Sequence, residues 1–395
     1  MTNELAQEAL INGLNKRQAG DIEGAIADYT AAIQLQTGFI NAYYNRGVAY
    51  AYLGQLANAI DDYTQVISLA PEHMQSYFNR AHAYDLMGDY QNALADYTEV
   101  IQLQPEMASA YHNRGSAYFK LGDYVAALAD YTRSIALNNP DLHLPYNNRG
   151  ESHELLGDYA AALADYTQAL GIMPNFSDAL NNRGRVNRLL GHLQQSLDDL
   201  NLAIQHYGDE AELYFNRGNT FVALGNADSA IEDYTRALDL IPNYAEAYYN
   251  RAQLYKREGQ LNRADADFTA FLSLHPTHAE AFFSRAVVRH HQGETEAALA
   301  DYTQALTLQP SMLDAYFNRA MIRRTMQDFE GAIEDYSMVI THQPQFVNAY
   351  VNRGNVYLMK GNLPRAIDDY EYALQLDPTH TLAQANLARA KEIHG

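Results

Sequence analysis

Residues 76–105, SYFNRAHAYDLMGDYQNALADYTEVIQLQP, decide how the rest of the chain is read. Shifted by 34 residues the stretch falls on AYHNRGSAYFKLGDYVAALADYTRSIALNNP, which begins at Ala110. Shifted the other way it falls on AYYNRGVAYAYLGQLANAIDDYTQVISLAP, which begins at Ala42. Self-similarity at a fixed period of this length marks an array of supersecondary units. Within the unit, Tyr77, Ala81 and Tyr84 recur at the spacing of one helix face. Gly88 suits the left-handed residue that closes a helix, Asp89 suits the N-cap of the next, and Pro105 stops it. Ala93, Tyr97, Val100 and Ile101 share a face of the second helix. The small Ala81 and Ala93 let the two helices approach. Such a hairpin cannot bury its apolar side alone, so copies must stack.

An aromatic, a small residue four later, a second aromatic, then Ala, aromatic, Ala or Ile, and Pro: this order resembles the tetratricopeptide repeat. Copies are placed at 6–39, 40–73, 74–107, 108–142, 143–176, 177–210, 211–244, 245–278, 279–312, 313–346 and 347–380, with a capping helix in 381–395. The resemblance implies an all-α fold, a right-handed superhelical solenoid of about eleven helix hairpins plus the cap. The first copy is atypical, with Ala9, Lys16 and Thr37 at pattern positions, as expected of a solenoid end. The fourth carries one extra residue near Asn138–Asp141. The sixth departs most, with Leu180, Asn187, Ser196, Leu200 and Gly208 at pattern positions, and is read as drift or as a hinge.

Composition narrows the function. Most of the 31 tyrosines fall at recurring packing positions, and there is neither tryptophan nor cysteine. Thiolate chemistry and disulfides are thereby excluded. A net charge of -21 disfavours nucleic acid and anionic lipid as partners. No leader or membrane span is evident, so a cytoplasmic location is expected.

Three series rise above the packing code. The sixth position of successive copies is Asn45, Asn79, Asn113, Asn148, Asn182, Asn216, Asn250, Ser284, Asn318 and Asn352. The seventh is arginine from Arg46 to Arg353, and an aspartate lies sixteen residues on, from Asp62 to Asp369. An arginine stem on a helix–helix face needs a carboxylate. One Arg–Asp bridge per repeat is therefore expected, its aspartate coming from the same copy or the preceding one. Asp28 completes the aspartate series in the first copy.

The resemblance places positions two, five, nine, twelve and thirteen, with the asparagine at six, along the concave groove. Tyr44, Phe78, Phe215, Tyr249, Phe283 and Phe317 at position five are expected to be exposed there. Amide side chains pair with a peptide backbone whatever its sequence, and the asparagine series resembles the ladder of some peptide-recruiting members of the family; the alternative is that each amide bonds locally. The groove is zoned by charge: Asp85, Glu151 and Glu154 come first, then Arg185 and Arg188, then Lys256, Arg257, His290, His291 and Arg324, with Arg289 and Arg323 beside them. The basic cluster suits an acidic segment. The carboxylate clamp of chaperone adaptors is not found.

Catalysis is not expected. Glu151 and Glu154 could imitate an acid–base pair, but no water-excluding pocket is legible. His275 with His278, and His290 with His291, lack a third metal ligand. No phosphate loop or nucleophile elbow occurs, so neither cofactor nor metal is expected. The reading is a non-catalytic scaffold that binds an extended, acidic peptide in its groove. The rival is a repeat protein that self-assembles into a homo-oligomer through its ends or convex face.

Overall fold

In this computed structural model, which describes residues 2–394, the chain forms 23 helices and, among the described residues, no strand. Two compact units divide it, residues 1–208 and 209–395. The first unit contains α1 (Thr2–Gln18), α2 (Ile22–Leu35), α3 (Ile40–Tyr52), α4 (Leu56–Leu69), α5 (Met74–Leu86), α6 (Tyr90–Leu103), α7 (Ala108–Lys120), α8 (Tyr124–Ala136), α9 (His143–Leu155), α10 (Tyr159–Ile172), α11 (Ser177–Leu189) and α12 (Leu193–His206). The second contains α13 (Ala211–Ala223), α14 (Ala227–Leu240), α15 (Ala245–Arg257), α16 (Leu261–Leu274), α17 (Ala279–Gln292), α18 (Thr295–Leu308), α19 (Leu313–Thr325), α20 (Phe329–His342), α21 (Val347–Met359), α22 (Leu363–Leu376) and α23 (Thr381–His394). Within each unit a helix packs chiefly on the one before it and the one after it. Each unit is thus a stack of hairpins in which neighbours along the chain are the chief neighbours in space.

The sequence accounts for the hairpin. Gly88, at φ 78°, ends α5 in the left-handed region that a side chain would strain. Asp89 caps α6 by accepting from the Asn92 amide at 3.3 Å. Ala81, Ala93, Tyr97 and Val100 are fully buried. Small residues at the helix crossing are obligatory: a Cβ added to Gly115 would lie 2.9 Å from the Tyr131 ring. The extra residue of the fourth copy is absorbed in the loop after α8, where Asn138 takes φ 54° and the buried Asn139 donates to Ser134 Oγ at 2.9 Å. At the far end, Ala383 and Ala390 of α23 are fully buried against the last hairpin.

Candidate functional site

The arginine series is the frame on which every inner face is hung. Arg46, Arg80, Arg114, Arg149, Arg183, Arg217, Arg251, Arg285, Arg319 and Arg353 each grip the aspartate sixteen residues on in their own copy. The grip is two-pronged: in Arg114, Nε and Nη2 donate to the two Asp130 oxygens, both at 2.8 Å. Same-copy pairing resolves the alternative left open by the sequence. The aspartates are buried, 2–6% exposed. Hydrogen bonding to them holds Arg46, Arg80, Arg114, Arg149 and Arg217 more basic than a free guanidinium. In most copies a position-four ring lies beside the guanidinium, and in several a position-eleven ring closes the other side; Arg114 stands 5.7 Å from the Tyr111 centroid and 6.0 Å from that of Tyr118.

The remaining nitrogen reaches backward. Arg80 Nη1 donates to Thr64 Oγ1 at 2.8 Å and Arg251 Nη1 to Thr235 Oγ1 at 2.8 Å, each threonine belonging to the preceding repeat. The same bond recurs from Arg46 to Thr30, Arg114 to Thr98, Arg149 to Thr132, Arg285 to Thr269, Arg319 to Thr303 and Arg353 to Ser337. The sequence reading missed this role, although the recurring Asp-Tyr-Thr triplet carried the signal. In the first copy, where no arginine stands at position seven, Asp28 pairs with Lys16 at 2.8 Å.

The position-five rings are half-buried, which corrects the expectation that they stand exposed. Each lies against the ring of its own second helix: Tyr44 on Tyr63, Phe78 on Tyr97, Phe215 on Tyr234, Tyr249 on Phe268, Phe283 on Tyr302 and Phe317 on Tyr336, with centroids 5.6–6.2 Å apart. Packing on the core ring takes one side of each aromatic and leaves part of it accessible.

The asparagines divide. Asn45 and Asn352 bond locally, donating to Asn41 O and Asn348 O at 2.8 Å. Asn79 reaches the Tyr44 hydroxyl at 3.3 Å, Asn182 reaches Asn147 Oδ1 at 3.3 Å and Asn250 reaches Asn219 Oδ1 at 3.1 Å, all in the preceding repeat. Asn113, Asn148 and Asn318 stand beside the phenols of Tyr97, Tyr131 and Tyr302. Asn216 is only 4% exposed and is removed from any groove ligand, contrary to expectation. The others are half-buried, and an amide has four bonding positions, so one internal bond leaves capacity for a ligand.

The charge zones resolve into committed and uncommitted groups. Arg289 is taken by Asp265 and Asp301, at 2.6 and 3.0 Å, and Arg323 by Asp335 and Asp328, at 3.0 and 3.4 Å. Arg257 is exposed and pairs with Glu258 at 3.3 Å; His291 is exposed, its Nδ1 2.7 Å from Val287 O. Lys256, His290 and Arg324 differ. All three are half-buried at the twelfth position of their copies, on α15, α17 and α19, and among the described residues none meets a carboxylate. Lys256 lies 6.0 Å from the Phe268 centroid and burial lowers its pKa, while Arg324 donates to Asn352 Oδ1 at 3.4 Å. Burial, then the neighbouring His291, lowers His290 below the usual imidazole range.

In the first unit Glu154 is committed, accepting from Arg185 and from the Tyr166 hydroxyl, both at 3.1 Å. Tyr131, Tyr234 and Tyr370 likewise find hydroxyl partners at position nine, in Ser116, Asn219 and Asn355. Where that position is apolar, at Val287 and Met321, the buried hydroxyls of Tyr302 and Tyr336 make no hydrogen bond. His275 and His278 both pack on the Phe271 ring, and among the described residues no group of three candidate metal ligands is assembled.

Stacked two-helix hairpins with a regular inner face of amides, ring edges and charges define an α-helical repeat scaffold. Models described as TPR repeat match residues 13–54 and 218–259. Models described as tetratricopeptide repeat match 40–73, 75–107 and 347–380, then 106–175, 249–312 and 313–345. The chain belongs to the tetratricopeptide repeat family, an interaction-scaffold family whose members are typically non-catalytic.

Among solved structures, the chain is similar to MamA at 27% identity, covering 44% of this chain and 95% of that one, with a TM-score of 0.42. It is similar to YrrB, described as a TPR protein with an unusual peptide-binding site, at 25% identity, 47% and 95% coverage and a TM-score of 0.41. To yeast Tom70 the likeness is 17% identity, 99% and 96% coverage and a TM-score of 0.38. No curated protein matches. Among the described residues no helix is long and apolar enough to cross a membrane.

Proposed function

We propose that this protein is a binding scaffold whose second unit holds an extended, acidic peptide segment along α15, α17 and α19. The observation that carries this reading is the row formed by Lys256, His290 and Arg324. These are three half-buried basic side chains at one register with no carboxylate partner, in a chain of net charge -21. A desolvated cation left unpaired costs free energy that an incoming carboxylate returns. Around the row stand donors and acceptors for a peptide backbone, the half-buried amides of Asn250, Asn318 and Asn352. A cavity of about 250 Å³ beside Asn250, lined by Tyr249, Phe271, His275 and His278 with Glu246 at its wall, has room for an apolar side chain of the ligand rather than an acidic one. Arg257 and His291, exposed at the edge, act on the ligand only through the longer-range field. With its pKa lowered, His290 serves at neutral pH as an uncharged hydrogen-bonding group.

Adjacent helices lie about 8–10 Å apart and an extended chain advances about 3.3 Å per residue, so acidic side chains every third residue match the row. A fluorescein-labelled nine-residue probe with glutamate at every third position, and its lysine counterpart, test this by anisotropy. The glutamate probe binds and the lysine probe does not. Lys256→Glu with Arg324→Glu weakens the glutamate probe tenfold or more, a loss of about 1.4 kcal/mol. Added salt weakens it too, because screening acts beyond about 8 Å at physiological ionic strength. Equal binding of the glutamate probe by parent and double variant removes the reading.

A further inference from the structure

The first unit repeats the device with the sign reversed. Asp85 on α5 occupies the twelfth position of its copy, where Lys256, His290 and Arg324 stand in the second unit. Glu151 on α9 stands one helical turn nearer its helix start, at the ninth position. Both carboxylates are half-buried, and among the described residues neither makes a hydrogen bond or an ion pair. The basic groups around them act without direct contact: exposed His82, one turn before Asp85 on α5, is the nearest to that carboxylate in effect. Arg185, which faces Glu151, is engaged by Glu154 and Asn182, at 3.1 and 3.0 Å. Lys120 of α7 is exposed and acts on both carboxylates only at a distance. Burial raises both carboxyls above the ordinary range, outweighing the opposing field of His82 and Lys120 at Asp85 and of Arg185 and Lys120 at Glu151.

Next to Asp85 in the chain, a cavity of about 220 Å³ opens between α3, α4 and α5, its apolar wall formed by Val48, Ala51, Leu56, Ala83 and Leu86 and its polar edge by Asn79 and His82. Leu86, 61% exposed, and Tyr52, 77% exposed, form an apolar lip at the same end of these helices. Apolar surface of this size left open beside uncompensated charge marks a surface made for a partner.

We propose that the inner face of the first unit binds a second ligand of opposite character, an extended segment that seats one large apolar side chain between α3 and α5 and pairs basic residues with Asp85 and Glu151. The charge of the two carboxylates selects the occupant, since an acidic or purely apolar segment would leave them buried and unpaired. Two steps between first helices, at about 8–10 Å each, separate α5 from α9. At about 3.3 Å per residue the two basic residues lie five or six positions apart, the first next to the apolar anchor. This inference stands apart from the reading of the second unit, because it uses other residues and the opposite probe.

The test uses the full chain and three labelled twelve-residue probes in a glycine–serine background. One carries Leu-Lys and a second lysine six residues on; one replaces both lysines by glutamate; one replaces the leucine by serine. The Leu-Lys probe binds at least tenfold more tightly than the glutamate probe and measurably more tightly than the serine probe. Asp85→Asn with Glu151→Gln, which relieves uncompensated charge and keeps the fold, weakens the Leu-Lys probe tenfold or more. Ala51→Phe, which fills the cavity, reduces it to the level of the serine probe. General attraction to a chain of net charge -21 would survive the loss of two carboxylates. Equal binding of the Leu-Lys probe by the double variant and the parent, or equal binding of the lysine and glutamate probes, overturns the proposal. Urea midpoints of every variant, matched to the parent, establish that a loss is one of binding rather than folding.

Discussion

At the scale of single residues, the arginine at position seven joins three things at once. Arg114 takes both oxygens of Asp130, lies between Tyr111 and Tyr118, and donates to Thr98 of the repeat before it. Removing one partner of a buried pair leaves the other charged and unpaired, at a cost of about 3–5 kcal/mol, whereas apolar replacement of both is often neutral. Arg114→Leu is therefore expected to lower the urea midpoint clearly, and Arg114→Leu with Asp130→Leu to recover most of it. An unchanged midpoint in the single variant would show that the bridge does not stabilise the stack. The pairing was legible in the sequence because two unusual residue types recurred together at a constant separation. Which copy supplied the aspartate was not, since that depends on how the hairpin folds back. Nor was the burial of Asn216, whose neighbours in sequence match those of its half-buried equivalents.

At the scale of the element, the sixth hairpin is built from weaker parts. Leu200 stands where most repeats bury a tyrosine, and it is fully buried, so the site is filled but with less apolar surface. Leu180 and Asn187 replace the rings on both sides of Arg183, and the buried Asn187 donates instead to Asp199 at 3.3 Å. A hydrogen bond to a carboxylate is worth about 1.5–3 kcal/mol net, less than the burial of a large aromatic. Local opening follows local packing. Amides of residues 177–206 are expected to exchange with solvent earlier than those of 74–103 or 313–342, as read by hydrogen-exchange mass spectrometry. Equal protection in the three segments would count against a soft sixth repeat.

At the scale of the molecule, each unit is held by contacts between neighbours in the chain. Stability in such an array is approximately a sum of hairpins and the interfaces between them. The last hairpin rests on α23, whose Ala383 and Ala390 are fully buried against it. A chain ending at His380 is expected to exchange faster through residues 347–376 while 40–103 keep their protection. A uniform loss along the chain would contradict nearest-neighbour stability.

The sequence by itself determined the period, the helix hairpin, its caps and the residues at the crossing. These follow from short-range chemistry: a left-handed glycine, a capping aspartate and small residues facing a ring. It also placed the charges in zones, because a constant register carries one position of every copy to the same face. Only the tertiary structure decided which members of each zone are uncommitted. Arg289 and Lys256 read alike as basic residues near one register, yet Arg289 meets two aspartates from neighbouring helices and Lys256 meets none. The position-five rings read as exposed until the tyrosine of the second helix was laid against them. Pairing and burial are properties of surfaces brought together by the stack, and a one-dimensional pattern specifies the stack without specifying what each side chain then meets.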